Sequence, residues 1–299
     1  MMLKNFGQME QFVREQSGKK RVALAAAHDA DALGSLMMAV DRGIAEAILI
    51  GRRKEIVRVL DEMGKDAGDF RIIEEEDDRA AADKAVELVH CGEADMPMKG
   101  LMHTSTFMKA ILDKEKGLKE EGNLLSQASV FEIPEKDRFL IISDCAVNID
   151  PDLETKIKIT ENAAALAHTL GIEQPKIAVL SAVEVVNPKI RSTVDAAAMR
   201  ERLSARYLID GPLALDNAID EAAAHHKGIE SPVAGNADIL IVPDLWSGNI
   251  FSKGLVFFAH LRSAGTLNGL KAPVVMSSRT DTVENKYLSI LTAVLQTIR

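Results

Sequence analysis

Short apolar runs alternate with longer amphipathic stretches along almost the whole chain. Runs of about four to eight apolar residues bounded by turn-forming residues are typical of strands that are buried on both faces. Strands that alternate with helical patterns predict an α/β fold, with mostly parallel sheets flanked by helices. The predicted strands are "RVALAAA" (21–27), "EAILIG" (46–51), "FRIIEE" (70–75), "RFLIISD" (138–144), "KIAVLSAVEV" (176–185), "RYLID" (206–210), "ADILIVPD" (237–244) and "APVVMS" (272–277).

Two of the helical stretches have well-defined patterns. "PDLETKIKITENAAALAHTLGI" predicts a helix with Asp150 as its N-cap and Pro151 as its first residue. The last stretch, "TVENKYLSILTAVLQTI", has apolar residues at helical spacing along one side. An arginine and an aspartate therefore lie where the last strand ends and the last helix begins.

A charged segment with two glycines, "KEKGLKEEGNLLSQAS" (114–129), precedes a second series of strands. A chain of 299 residues is long for a single core, so two domains, or one large α/β unit, are expected. We assign residues 130–267 to the second domain, and residues 1–129 with 268–299 to the first. Periodicity alone does not show that the last strand and helix return to the first domain.

The net charge of -9 argues against a nucleic-acid-binding surface, which requires a basic face. It still allows an anionic small ligand, because a few local cations and backbone N–H groups bind one. Two cysteines are too few for a disulfide framework. The start "MMLKNFGQMEQFVREQSGKK" lacks the apolar core of a signal peptide, and no window approaches the about 20 apolar residues of a membrane span. We therefore expect a cytoplasmic protein with no membrane partner.

Polar side chains cluster at four places, most of them directly after apolar runs. Ligands of open α/β sheets bind beyond the carboxyl ends of the strands, so these positions supply the candidate binding residues. Helix capping explains Thr104 or Asp244 taken singly. Arg279 suits an anion, although an ion pair with Asp281 explains it equally well. The candidates are Lys99, His103 and Thr104; Asp144 and Asn148; Asp244, Gly248, Asn249 and Lys253; and Ser278, Arg279 and Asp281.

Other common sites lack their sequence patterns. The chain contains neither a P-loop nor a G-x-G-x-x-G motif after a strand, so nucleotide sites of those types are unsupported. No Cys/His cluster has the spacing of a zinc site. Cys145 has no evident base nearby in the sequence, and a small core residue at a strand end is the preferred interpretation.

Several stretches at these strand ends resemble the phosphate acetyltransferase and phosphate butyryltransferase family. The block from 208 to 281 is the most specific, whereas residues 1–90 match only in general pattern. The chain length and the "SSRTD" ending are more similar to the butyryl branch. The resembling stretches are "MKGLMHTSTFMKAIL" (98–112), "SDCAVNIDPD" (143–152), "AVLSAVEVVNPKI" (178–190), "LIDGPLALDNAI" (208–219), "KGIESPVAGNADILIVPDLWSGN" (227–249) and "KAPVVMSSRTD" (271–281).

The resemblance implies a two-domain fold similar to that of the isocitrate and isopropylmalate dehydrogenases, with the active-site cleft between the domains and a homodimer as the assembly. It also implies the reaction acyl-CoA + phosphate ⇌ acyl phosphate + CoA, by direct thiolate attack and without a covalent enzyme intermediate. Coenzyme A is then a substrate, no metal takes part and no cofactor is tightly bound. The acyl group, whether butyryl, branched or acetyl, stays open.

The resemblance also assigns residues to this chemistry. It places Ser278 at the CoA sulfur, and we expect Arg279 to bind the phosphoryl oxygens, which suit a guanidinium fork. Backbone N–H groups near Gly248 and Thr104 are expected to hold the developing oxyanion. The other polar candidates, including Lys99, are expected to contact the substrates.

One position departs from the family pattern. The acetyl branch has a proposed aspartate base seven residues after the serine, where this chain has Asn285. An amide does not take up a proton at neutral pH. Asp281, Glu284 or no base at all must therefore fill that role, and Asp281 is preferred.

Two other classes of protein stay open. A metal- and NAD(P)-dependent hydroxy-acid dehydrogenase on the same fold requires several carboxylates at one site, and Asp144 with Asp244 are the only strand-end pair the sequence offers. A non-catalytic CoA or acyl-phosphate-binding protein gains some support from Asn285. Turnover by the purified protein separates this last class from the enzyme.

Overall fold

The computed structural model describes residues 1–16 and 18–299, which form two units. The N-terminal unit comprises residues 6–123 and 264–299, and the central unit comprises residues 1–5 and 124–263. The domain limits expected from the sequence stay a prediction. The predicted α/β class is confirmed, because each unit contains a largely parallel sheet together with helices.

The sheet of the N-terminal unit is parallel throughout. Its strands are β1 (Lys20–Ala25), β2 (Ala45–Gly51), β3 (Arg71–Glu74) and β4 (Met96–Lys99), in the order β3-β2-β1-β4. The predicted strand at 272–277 is present only as bridges, since Val275 pairs with Met98 in parallel and Val274 pairs with Leu267. The backbone of Val275 extends the sheet beyond β4, donating to the carbonyl of Pro97 and accepting from the N–H of Lys99, both at 3.0 Å.

The same unit contains six α-helices among its described residues. They are α1 (Phe6–Glu15), α2 (Ala30–Asp41), α3 (Arg53–Glu62), α4 (Asp78–His90), α5 (Thr104–Ile111) and, at the chain end, α11 (Val283–Gln296). Within residues 1–16 and 18–299, no helix combines the length and apolar character needed to cross a membrane.

Helix α11 is buried on all sides, whereas the sequence pattern predicted one apolar side. Residues 285–295 are all buried. Two hydroxyl groups of this helix bond within it: Ser289 Oγ donates to the carbonyl of Asn285 at 3.0 Å and Thr292 Oγ1 donates to that of Leu288 at 2.8 Å. A polar residue in α11 therefore does not mark a solvent-facing side.

The strand order places a topological switch point between β1 and β4. From β1 the chain proceeds to β2 and β3 on one side, and β4 lies on the other side of β1. Ligands of open α/β sheets bind at such a point, beyond the carboxyl ends of the strands. Gly100, directly after β4, packs closely there, because a Cβ atom at this position would lie 2.3 Å from the carbonyl oxygen of Ala26.

The central unit contains a sheet of mixed direction. Strands β5 (Ser126–Ile133), β6 (Arg138–Ser143), β9 (Ile239–Ile241), β7 (Lys176–Leu180) and β8 (Leu208–Leu213) lie in that order, with β5 antiparallel to β6 and the other pairs parallel. Its helices are α6 (Leu153–Thr169), α7 (Arg191–Leu203), α8 (Leu215–Ile219), α9 (Glu221–His226) and α10 (Leu245–Phe257). Strand β10 (Ser263–Asn268) begins at the last residue of this unit.

Some element limits correct the sequence prediction. The N-cap at Asp150 is wrong: α6 begins at Leu153, and Asp152 Oδ1 accepts the N–H of Thr155 at 2.8 Å. Asp150 and Asp152 flank Pro151, so the sequence pattern is compatible with either aspartate as the N-cap. The strand predicted over 176–185 stops at Leu180, and the mostly exposed segment that follows is irregular up to α7.

Candidate active site

The loop between the Val275 bridge and α11 holds three of the predicted site residues in a tight turn. The backbone N–H of Ser278 donates to Asp281 Oδ2 at 2.7 Å, and the N–H of Asp281 donates to the Ser278 carbonyl at 3.2 Å. Ser278 Oγ lies 3.0 Å from Thr280 Oγ1. The sequence also allowed an ion pair between Arg279 and Asp281; in the structure the Asp281 carboxylate faces the Ser278 N–H. The Arg279 side chain is exposed.

Lys99 ends β4 and is buried, with 5% of its surface exposed. Its Nζ donates to the carbonyl of Gly100 at 3.3 Å. Burial lowers the pKa of the Lys99 ammonium below its usual range; the positive charges of Arg279 and Lys286 lower it further, and Asp29 opposes them. An anion bound here would stabilise the charged form of Lys99.

Lys286 belongs to this group, and the sequence analysis missed it. It lies in the second turn of α11 with 3% of its surface exposed, and its Nζ donates to the backbone carbonyl of Asp281. The spacing to Val283 and Ile290 places it on the apolar side of the helix. A lysine in that apolar row was the one signal that could have identified it. We call Lys99, Arg279 and Lys286 the cation cluster.

Other candidates of the N-terminal unit lie at helix starts. His103 is the N-cap residue of α5 and makes no side-chain capping bond, and Thr104 is the first residue of that helix. Both are exposed, as is Glu284 in the first turn of α11. Asn285 is buried, and its backbone N–H donates to Thr282 Oγ1 at 3.1 Å. The backbone of Asn285 therefore takes part in the N-terminal capping of α11, and its side chain is buried.

In the central unit, Asp144 is a buried hydrogen-bond acceptor rather than an open ligand. It is 2% exposed and accepts the backbone N–H groups of Ala146 and Val147 on Oδ1, at 2.8 and 2.9 Å. Its Oδ2 accepts the N–H of Gln127 at 3.1 Å, and the N–H and Nδ2 of Asn148 at 3.3 and 2.6 Å. Asn148 Nδ2 also donates to a neighbouring backbone carbonyl. Asp144 and Asn148 therefore link the loop after β6 to the backbone at the start of β5.

Cys145 follows Asp144 and is buried, as the sequence interpretation expected. Burial raises the pKa of the Cys145 thiol, and the negative charge of Asp144 raises it further. The thiol therefore stays protonated at neutral pH, which makes it a poor nucleophile.

The predicted residues at the start of α10 pack against the same strand end. Asp244 is the N-cap, and its Oδ1 accepts the N–H of Ser247 at 2.8 Å. A Cβ atom at Gly248 would lie 2.5 Å from the carbonyl of Asp144, and the Gly248 N–H already donates to the Asp244 carbonyl at 3.2 Å. Asn249 Nδ2 donates to the Cys145 carbonyl at 3.1 Å. Both carboxylate oxygens of Asp144, and Oδ1 of Asp244, are thus engaged in hydrogen bonds within the protein.

Lys253 lies one turn further along α10 and is exposed. It shares one face of the helix with Trp246, Ile250 and Phe257, because their spacing follows the helical repeat. Those three apolar side chains are also exposed, Ile250 to 71%.

Comparisons with known proteins agree on one family. The model of the family described as "Phosphate acetyl/butaryl transferase" matches residues 79–294. A phosphate butyryltransferase of Clostridium acetobutylicum is 45% identical and covers 98% of both chains. A phosphate acetyltransferase of Thermotoga maritima is 43% identical over 94% of this chain and 97% of the relative. The crystal structure of a branched-chain phosphotransacylase from Enterococcus faecalis has a TM-score of 0.83 at 34% identity, covering 93% of this chain and 98% of that one.

Proposed function

The chain belongs to the phosphate acetyl/butyryl transferase family, and from this premise we propose that it interconverts a short-chain acyl-CoA plus phosphate with an acyl phosphate plus CoA. As a member of this family it is an acyltransferase. The observation that carries the proposal is the cation cluster, in which the charges of Arg279 and Lys286 act on the buried Lys99. Two lysines and an arginine that lie this near one another suit a phosphate group.

The proposed transfer is direct. The CoA thiolate attacks the carbonyl carbon of the acyl phosphate; the C–S bond forms, the C–O bond to phosphate breaks, and phosphate leaves with the bonding electron pair. Arg279 and Lys99 bind the phosphoryl oxygens, and Ser278 contacts the sulfur. Asp281 takes the thiol proton, and its carboxylate already lies at the Ser278 N–H. The protonated thiol of Cys145 supports a route without a cysteine-bound intermediate.

The remaining candidates are proposed substrate contacts with different degrees of exposure. The exposed side chains of His103, Thr104 and Glu284 leave room for a ligand. Lys253 is exposed in the single chain, on the apolar face of α10, so it is proposed to contact a substrate at the edge of that face. In the central unit the candidates are Asn148, Asp244, Gly248 and Asn249, whose polar groups form hydrogen bonds within the protein. These four are proposed to shape the surface that the substrate meets.

A CoA-release assay tests the proposed reaction. With saturating phosphate and a panel of acetyl-, propionyl-, butyryl-, isobutyryl- and valeryl-CoA, free thiol should appear, fastest with butyryl- or isobutyryl-CoA. Each methylene changes discrimination by about 10- to 200-fold, so neighbouring chain lengths should show measurable but lower rates. Free thiol without phosphate should stay at the background of spontaneous hydrolysis. If no acyl chain gives phosphate-dependent release, the proposed reaction is wrong and a binding protein becomes the better explanation.

We also propose a homodimer that pairs the exposed apolar face of α10 with the same face of a second copy. Trp246, Ile250 and Phe257 form this face, and aromatic side chains are typical anchors of an interface. A two-fold interface uses one patch on both subunits, so one continuous face suffices.

Replacing Ile250 by Glu should therefore convert the dimer to a monomer without loss of folding, because the side chain is exposed in the single chain. Size-exclusion chromatography with light scattering measures the mass. Ala222→Glu, at an exposed position of α9, is the matched control and should stay dimeric. A monomeric wild type, or a dimeric Ile250→Glu variant, contradicts the proposal.

A further inference from the structure

Lys286 occupies a buried position of α11 at which an apolar side chain would normally pack. The neighbouring turns of α11 present Val283, Tyr287 and Ile290, and 3% of Lys286 is exposed. Removing an ammonium group from water is unfavourable unless partners replace its hydration, and an apolar residue of similar size often stabilises such a site better. A lysine here therefore points to a role beyond packing.

The contacts of Lys286 join the start of α2 to the loop that contains Ser278 and Asp281. Its Nζ donates to the backbone carbonyl of Asp281, the residue that closes the turn around Ser278. The same Nζ lies 3.9 Å from Asp31 Oδ2 in the first turn of α2. The Asp31 side chain is mostly exposed, so this ion pair is weakened by water. The bond to the loop is the shorter and more buried of the two.

Lys286 also adds charge to a place that already holds two cations. Its charge and that of Arg279 both act on Lys99, and both disfavour the charged lysine. Asp29 is the carboxylate that opposes them. Like charges brought together in a partly dry site repel each other, and an anion placed among them relieves that repulsion. The arrangement is suited to an anion with more than one negative charge, such as inorganic phosphate.

We infer that Lys286 is a positioning residue of the phosphate subsite. It anchors the Ser278–Asp281 loop through the Asp281 carbonyl and supplies one of the three positive charges that attract phosphate. The inference rests on the proposed function, because it assigns Lys286 to the phosphate of the same reaction. Lys286 acts through the Asp281 carbonyl and through its charge, so it is not placed in contact with the reacting carbon.

The test compares Lys286→Met, which removes charge and donor, with Lys286→Gln, which keeps a donor for the Asp281 carbonyl but has no charge. Both should raise the KM for phosphate by about tenfold or more, an effect equal to about one charge-assisted contact. The KM for acyl-CoA should change less than threefold. Lys286→Met should also lower kcat, because the loop loses its anchor, whereas Lys286→Gln should keep most of kcat. Lys286→Arg should recover phosphate binding.

Lys156→Met is the matched control, since Lys156 is likewise 3% exposed on a helix and pairs with Asp195 at 2.7 Å in the central unit. It should lower thermal stability and leave both KM values unchanged. An unchanged KM for phosphate in folded Lys286→Gln overturns the inference. If Lys286→Met does not fold, as judged by circular dichroism, Lys286→Gln decides alone.

A second readout does not depend on turnover. Inorganic phosphate should raise the melting temperature of the wild type and of Lys156→Met, and should have a clearly smaller effect on Lys286→Gln. If the wild type releases no CoA but this difference persists, the proposed reaction is wrong while the phosphate subsite stands. If CoA release is normal and the phosphate response of Lys286→Gln equals that of the wild type, the inference fails alone.

Discussion

Arg279→Ala should lower kcat/KM for phosphate-dependent CoA release by about 10²- to 10⁴-fold. A guanidinium group can donate two parallel hydrogen bonds to a phosphoryl group, each worth about 1.5–3 kcal/mol when the acceptor is charged. About 1.4 kcal/mol corresponds to a tenfold change in rate, which gives this range. The loss should be large because the Arg279 side chain is exposed beside Ser278, where a phosphoryl group can reach it.

Two further variants show whether the activity lost in Arg279→Ala comes from the geometry of the guanidinium group or from its charge alone. Arg279→Lys keeps the charge but not the planar fork, so its rate should lie between those of the wild type and Arg279→Ala. Arg58→Ala removes an exposed arginine of α3 that pairs with Glu62 at 3.6 Å, and it should be as active as the wild type. Wild-type rates for Arg279→Ala would remove Arg279 from the phosphate site.

Asp144→Ala should destabilise the protein by about 3–5 kcal/mol, because several buried N–H groups lose their acceptor together. The carboxylate accepts four backbone N–H groups, of Gln127, Ala146, Val147 and Asn148, as well as the Asn148 side chain. Each buried donor left without an acceptor costs about 1–3 kcal/mol, although water entering the gap reduces the sum. Urea unfolding followed by circular dichroism measures the change.

Asp244→Ala provides the comparison for this stability experiment. Asp244 is also an aspartate that accepts a backbone N–H, but it does so at a partly exposed helix start. Loss of an N-cap of this kind costs about 1 kcal/mol. Equal effects of the two substitutions would show that the Asp144 bonds contribute no more than an ordinary cap.

The sequence alone identifies some residues of the candidate site and misses others. Arg279 was identifiable because a polar cluster directly follows an apolar run, and strand ends of that kind supply ligand contacts. Lys286 was not, because the helical pattern around it indicates packing, and a lysine in such a row fits an ordinary surface helix as well. Only the burial of α11 on all sides distinguishes the two interpretations.

Asp144 and Asn148 illustrate the opposite difficulty. Their position at the end of a predicted strand made them candidates for ligand contact, whereas the structure uses their polar atoms to bind nearby backbone groups. The same short polar side chains serve both purposes, so spacing cannot separate them. The α/β class followed from the alternation of patterns, and the comparisons confirmed the family resemblance. Strands β4, β5 and β10 were missed because "MPMK", "SQASVFEI" and "SAGTLN" are too short or too polar to stand out.

The tight fit of Gly100 against the carbonyl of Ala26 limits how this enzyme can be redesigned. The direction in which the chain leaves β4 is set by contact between two backbones, and no choice of side chain at this position can adjust it. A library aimed at new acyl groups would therefore gain nothing by varying Gly100. The exposed positions at the start of α5 are better targets for such a library. A larger or smaller side chain there changes the space open to a ligand without moving the sheet.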